Sequence, residues 1–181
     1  MIRSFLWLLG GAILGGIIHI VVILSLPSLA ENTSWTRISA LDADHKMLVL
    51  PAITAGGDNP LQLDPELVYG ICKIDINEAP AFVQGTLPDA FWSVAVYNSD
   101  GIITYSTTNR DGIGQTVELG MFNSAQTQLL AQQQIEVSPN LLVVEMAHSE
   151  AVVVVRAAPP HDVMRPRFEV ALAAVSCGPR P

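Results

Sequence analysis

Charge is scarce in this sequence, and positive charge is scarcer still. Only 14% of the 181 residues are charged, and nine Lys and Arg stand against seventeen Asp and Glu, for a net of −8. Arg3 precedes a long apolar run, so the rest of the chain carries 8 − 17 = −9. A field of that sign repels phosphate backbones and anionic headgroups, which argues against nucleic acid as a partner. Its ordinary consequence is solubility of an exposed domain. Motifs of chemistry are lacking too. There is no G-x-S-x-G elbow, no phosphate loop, no G-x-G-x-x-G and no H-E-x-x-H. Internal repeats and low-complexity tracts are also absent.

The first thing present is a run without Asp, Glu, Lys or Arg, from Phe5 to Leu26, 22 residues long. As a helix it spans about 33 Å, enough to cross a hydrocarbon core of about 30 Å with its own backbone bonds satisfied. Trp7 falls near one end, where an indole suits the interface, and Pro27 and Glu31 close the other. A cleaved signal peptide is the competing reading, with Arg3 as a short basic region and Ser28-Leu29-Ala30 as the cleavage site. The run is longer than the usual signal core of about 7–15 residues, so an uncleaved anchor is expected. Either reading exports the rest. Arg37 and Lys46 lie beyond the run, so the positive-inside count does not fix the orientation, and the signal-like order of regions points to N-in, domain-out. Gly11 and Gly15 form a small-xxx-small pair that permits close helix approach, which makes a homodimer or a membrane-protein partner conceivable. His19 inside the run reads as a hydrogen-bonding residue before it reads as a proton path.

Beyond the anchor, Trp35, Ile38 and Leu41 fall at helical spacing, and Gly56 to Pro60 and Asp64-Pro65 break the chain. Strand patterns dominate from Leu67. Residues 68–76 have strand composition. From Phe91 to Tyr97, Trp92, Val94 and Val96 share one face and Ser93 and Ala95 the other. Asn98-Ser99-Asp100-Gly101 then turns the chain into Ile102–Thr107, a predicted hairpin. A second hairpin is predicted between 141–147 and 152–157, and Val152 to Val155, apolar on both faces, reads as central and covered. Helices are predicted over 124–134 and, from Pro166, over 166–175 with Phe168, Leu172 and Val175 on one face. The expected architecture is mainly β, an antiparallel sheet or β-sandwich with one or two peripheral helices, preceded by a single transmembrane helix. The expected division is anchor 1–30, linker and short amphipathic segment 31–66, and β-rich exported domain 67–181.

Few residues suggest a site. Asp42, Asp44 and His45 form a D-x-D-H cluster, but metal binding needs several converging ligands with outer support, so a solvated loop is the plainer reading. Glu145, His148 and Glu150 surround a turn and read as surface. Ser93 alone makes no triad. No catalytic, cofactor or metal residue is assigned. Trp92, Tyr97 and Arg110 are structural or ligand candidates: two large aromatics with a polar handle and a planar five-donor fork, Arg110 being able to pin the 109–112 loop through carbonyls, Asp75 or Asp111. Cys72 and Cys177 are the only cysteines, and export would permit a disulfide between them.

The run Leu87-Pro88-Asp89-Ala90-Phe91-Trp92-Ser93-Val94-Ala95-Val96-Tyr97 with Asp100-Gly101 and Asn109-Arg110 carries a likeness, as does Cys72-Lys73-Ile74-Asp75-Ile76 followed by Pro80. With the anchor, Pro27 and Trp35, these residues resemble small proteobacterial envelope proteins of the group called domain of unknown function 1254, with echoes of its companion group 1214. The resemblance implies a β-rich exported domain in a bacterial envelope, single-pass in the inner membrane with its C-terminal domain in the periplasm. It implies no activity, and larger members carry two such domains where this chain has room for one. Two functions are expected to compete: a non-catalytic envelope module that binds a neighbour, and a ligand-binding or enzyme-accessory domain with a pocket inside the sandwich lined by Trp92, Tyr97 and Arg110.

Overall fold

A computed structural model describes residues 2–29, 34–54, 56–110, 114–133, 138 and 140–179. The Ala30–Glu31 junction, Asn32-Thr33, Asp111-Gly112, and Gln134 fall outside the described residues.

The uncharged run forms helix α1, Ile2–Leu29. Its stretch Ile2–Leu26 is long and apolar enough to cross a membrane, and none of it is buried against the rest of the chain. Nothing lies within 4 Å of where a Cβ would stand on Gly11 or Gly15, so that face is open.

The remainder is two packed sheets. Strands β1 (Leu48–Val49), β2 (Val68–Asp75), β3 (Ala81–Thr86), β4 (Trp92–Asn98), β5 (Ile103–Thr108), β6 (Thr116–Phe122), β7 (Leu142–Glu145), β8 (Glu150–Ala157) and β9 (Ser176–Pro179) alternate with α2 (Ser34–Ser39), α3 (Ser124–Gln133) and α4 (Arg165–Ala173). One sheet has the order β1-β2-β8-β4-β5, the other β7-β6-β3-β9. Alternation decides which side chains meet between them. Trp92, Val94 and Val96 of β4, and Val153 and Val155 of β8, share a core with Val83 of β3 and Leu119 and Met121 of β6. Phe168 and Leu172 of α4 join this core. The mainly β class with peripheral helices is the one the patterning predicts.

The first predicted hairpin is present. β4 and β5 pair antiparallel. Asn98 Oδ1 accepts from the backbone N–H of Asp100 (3.1 Å) and Ile102 (2.8 Å), and Gly101 takes a φ of 76°. The second hairpin is not. β7 lies parallel to β6 in one sheet, while β8 enters the other between β2 and β4. The burial patterns explain the split. β7 buries one face only, as an edge strand does. β8 is covered on both faces, as the Val run predicts. Met146 N–H donates to Phe122 O (2.8 Å) as the chain leaves the first sheet for the second.

The predicted helices are observed close to their expected bounds. Pro166 lies in the first turn of α4, where its missing N–H costs nothing. α3 begins with a reciprocal cap. Gln126 N–H donates to Asn123 Oδ1, and Asn123 N–H to Gln126 Oε1, both at 2.9 Å.

Residues in the segment 31–66 do more than link. β1 pairs with β2, Asp44 bridges to Lys73, and Ala43 and Leu50 are buried. Gly178 shows how tightly this segment lies on the domain. Its φ is 137°, and a Cβ there would stand 3.2 Å from the His45 carbonyl oxygen.

Cys72 and Cys177 are disulfide-bonded, 105 residues apart in sequence. The bond joins β2 of one sheet to β9 of the other, so it ties down the strand that follows the last helix.

Candidate functional site

The outer face of the five-stranded sheet is built by the residues that alternate away from the core. Register places Tyr69, Arg156, Ser93 and Thr108 in one row across β2, β8, β4 and β5. The next row is Ile71, Val154, Ala95 and Ser106. Lys73, Val152 and Tyr97 follow. Such a face is too apolar on its β2–β8 side to stand in water, and residues 35–67 strap across it. Trp35, Ile38, Leu41, Leu48, Leu61 and Leu63 pack there against Tyr69, Ile71, Val152 and Val154. The helical stripe read from Trp35, Ile38 and Leu41 therefore has its partner.

Polar bonds pin the strap. Asp64 N–H donates to the Tyr69 hydroxyl (3.0 Å), and Leu50 N–H to Tyr69 O (2.9 Å). Lys73 is a clasp: its Nζ donates to Ser39 O (2.8 Å) and pairs with Asp44 (3.0 Å). Arg37 donates to Pro60 O.

The strap covers only part of the face. A groove of about 380 Å³ remains beside it, lined by Trp35, Ile38, Leu63, Tyr97 and Val154 among others, with Arg156 in its wall. A smaller hollow of about 310 Å³ lies on the other side of Arg156, lined by Leu67, Phe91, Ser93, Thr108 and Ala158. Arg156 borders both. Among the described residues, no Asp or Glu lines either one. Other surface hollows do hold acids: Asp44, Asp75 and Glu150 in one, Glu66 and Asp162 in another, Glu169 in a third.

Arg156 is unusually placed for a cation. It is partly buried on a central strand, and its Nε is buried with no acceptor among the described residues. Neither of the described ion pairs includes it. A second guanidinium stands close by. The Arg110 Cζ lies 5.9 Å above the ring of Phe91, which walls the smaller hollow. Ser93 and Thr108 supply hydroxyls, but no His, Asp or Glu among the lining residues could act as their base.

Trp92, Tyr97 and Arg110 do not converge. Trp92 is 1% exposed in the core between the sheets, and its indole N–H has no acceptor among the described residues. Tyr97, five positions on along the same strand, faces the outer groove. Arg110 is exposed and stacks on Phe91. Asp42 and Asp44 are exposed and paired with Lys46 and Lys73, and His45 is exposed beside them. Lys46, hydrogen-bonded to Asp42, holds that carboxyl below the usual carboxylate range. Glu145, His148 and Glu150 are exposed, as alternation predicts. No group of three or more His, Cys, Asp or Glu able to hold a metal occurs among the described residues. Arg156 is the residue that sequence reasoning passed over. The signal was present: counting by two from Val152 reaches Val154 and then an arginine on the same covered face.

No family model matches the chain, and no curated protein does either. Among solved structures it is similar to the VPA0106 protein of Vibrio parahaemolyticus, at 12% identity and a TM-score of 0.50, over 64% of this chain and 28% of that one. It also matches an uncharacterized protein from Burkholderia cenocepacia at 16% identity and a TM-score of 0.40, over 65% of this chain and 32% of that one. The chain thus spans less than a third of the length of either. At 12% identity, the likeness to the Vibrio protein is one of fold.

Proposed function

We propose that this chain is a non-catalytic module of a bacterial envelope, held by α1 in the inner membrane with its β domain in the periplasm, and that it works by contact. It would be a small relative of the group called domain of unknown function 1254. The observation that carries the reading is the outer face of the five-stranded sheet. That face offers aromatic and aliphatic side chains with an arginine beside them, and no nucleophile–base pair. A single tether raises the effective concentration of such a face for a neighbouring membrane protein, and the open Gly11–Gly15 face adds a second surface within the bilayer.

A ligand-binding or accessory role is the second reading. The space between the sheets is filled by Trp92, Leu119, Met121 and Phe168, each nearly or wholly inaccessible, so a ligand would sit on the outer groove. The test is a photo-crosslinking residue at Tyr97 in the groove, compared with one at exposed Glu145 on the other sheet, in living cells. A discrete adduct from position 97 and none from 145 is expected. Absence of any adduct from 97 would refute contact through this face.

A further inference from the structure

We infer that the groove beside Arg156 is a site for a small amphiphile bearing one carboxylate, such as a medium-chain fatty acid. The inference shares with the contact reading only the choice of working face. Three observations carry it.

The first is charge. Among the described residues, Arg156 is the only charged one lining the groove or the smaller hollow, and its buried Nε has no acceptor. A partly desolvated guanidinium without a counter-ion is costly, and a carboxylate at its accessible end would supply charge-assisted hydrogen bonds. Ser93 lies across from it on β4 and lines the smaller hollow, not the groove. One cation in the groove wall matches a monoanion. A phosphate dianion needs more donors, and the net −8 of the chain opposes it further.

The second is shape and lining. The groove, about 380 Å³, is within the range of small-ligand sites, and apart from Arg156 and Gln62 it is walled largely by Trp35, Ile38, Leu61, Leu63, Tyr97 and Val154. An apolar tail would remove those side chains from water while the head group meets Arg156, which follows Val152 and Val154 along β8. The third is position along the chain. Eight residues lie between Leu26, the last of the apolar span, and Trp35 in the groove wall. Fully extended, they reach at most about 30 Å. A site tethered so closely to the bilayer surface samples the single-chain amphiphiles that leave it.

Equilibrium dialysis tests the site, using the full chain in zwitterionic lipid nanodiscs with empty nanodiscs as the partition control. Octanoate should bind saturably, one per chain. Arg156→Gln, checked for an unchanged melting curve, should weaken it roughly tenfold to a hundredfold, and Arg156→Lys by less. Octanol should bind the parent and Arg156→Gln alike, and weakly. Octanoate binding no better than octanol to the parent chain would overturn the inference even if the variants fold poorly. Octyl phosphate binding more tightly than octanoate would overturn the carboxylate assignment. Loss of octanoate binding with the Tyr97 adduct intact removes the ligand and leaves the contact reading. Octanoate recovered chemically altered would instead sink the non-catalytic reading.

Discussion

Cys72 and Cys177 join the two sheets of the sandwich, the first on β2 and the second on β9, with Cα atoms 6.5 Å apart. The loop they close contains most of the domain. Every strand from β3 to β8 lies between them in sequence. Cross-linking acts mainly by restricting the unfolded chain, and for a loop of about a hundred residues the entropic model gives roughly 4–5 kcal/mol at 25 °C as an upper value. Replacing both cysteines by alanine should therefore lower unfolding free energy by about 2–4 kcal/mol, measured by urea titration. An unchanged midpoint would show that the bridge contributes nothing to stability.

Trp92 and Arg110 should respond very differently to truncation. Trp92→Ala opens a cavity between the sheets and should cost about 3–5 kcal/mol, visible as a loss of folded yield. Trp92→Phe should cost much less, because the indole N–H it removes has no described acceptor. Arg110→Ala removes an exposed contact with Phe91 and should cost no more than about 1 kcal/mol. Equal losses for Trp92→Ala and Arg110→Ala in thermal melts would contradict these placements.

Gly178 tests whether residues 43–50 are part of the folded domain. Its φ of 137° disfavours any other residue, and the His45 backbone closes off the space a Cβ would need. Gly178→Ala should destabilise by about 1–3 kcal/mol. It should also speed amide exchange in the strap around Ala43 and Leu50. Faster exchange confined to β9 would mean the strap is held independently.

Asp42 supplies a pH test. Its carboxyl titrates below the usual range because Lys46 donates to it and lies beside it, with a smaller push from Lys73. A folded-state value below the unfolded one means a stabilising contribution that is present above the unfolded value. That contribution is lost as pH falls through the folded value. Both groups are at the surface, so the effect on stability is small and falls with salt. Carboxyl NMR titration should place Asp42 below a typical aspartate, and Lys46→Met should return it upward. No movement on that substitution would refute the cause.

Local signals were legible and long-range ones were not. The β4–β5 hairpin followed from two-residue alternation and the Asn-Ser-Asp-Gly turn, both of which act within a few residues. The central place of β8 followed from four consecutive valines. β7 was misjudged because it does have a short link to β8, yet its partner β6 lies twenty residues upstream across α3, and nothing local specifies that. The strap over 35–67 shows only a three-residue stripe in sequence, and its destination depends on which sheet face is left bare. A pocket shared by Trp92 and Tyr97, which the ligand-binding alternative needs, is ruled out by their offset of five along a strand, which puts them on opposite faces. Nothing in the local sequence marks Arg156 as short of a partner. Its lack of an acidic neighbour is a property of three strands and a strap together.

One intact-mass measurement bears most directly on the tether and on the side of the membrane where the domain folds. The chain would be taken from the membrane fraction of producing cells, denatured without reduction and alkylated. The expected mass includes every residue before Ala30 and carries no alkyl group, as for an uncleaved anchor with Cys72 and Cys177 oxidised together outside the cytoplasm. A mass beginning at Glu31 would contradict the tether, and two alkyl groups would contradict folding in an oxidising compartment.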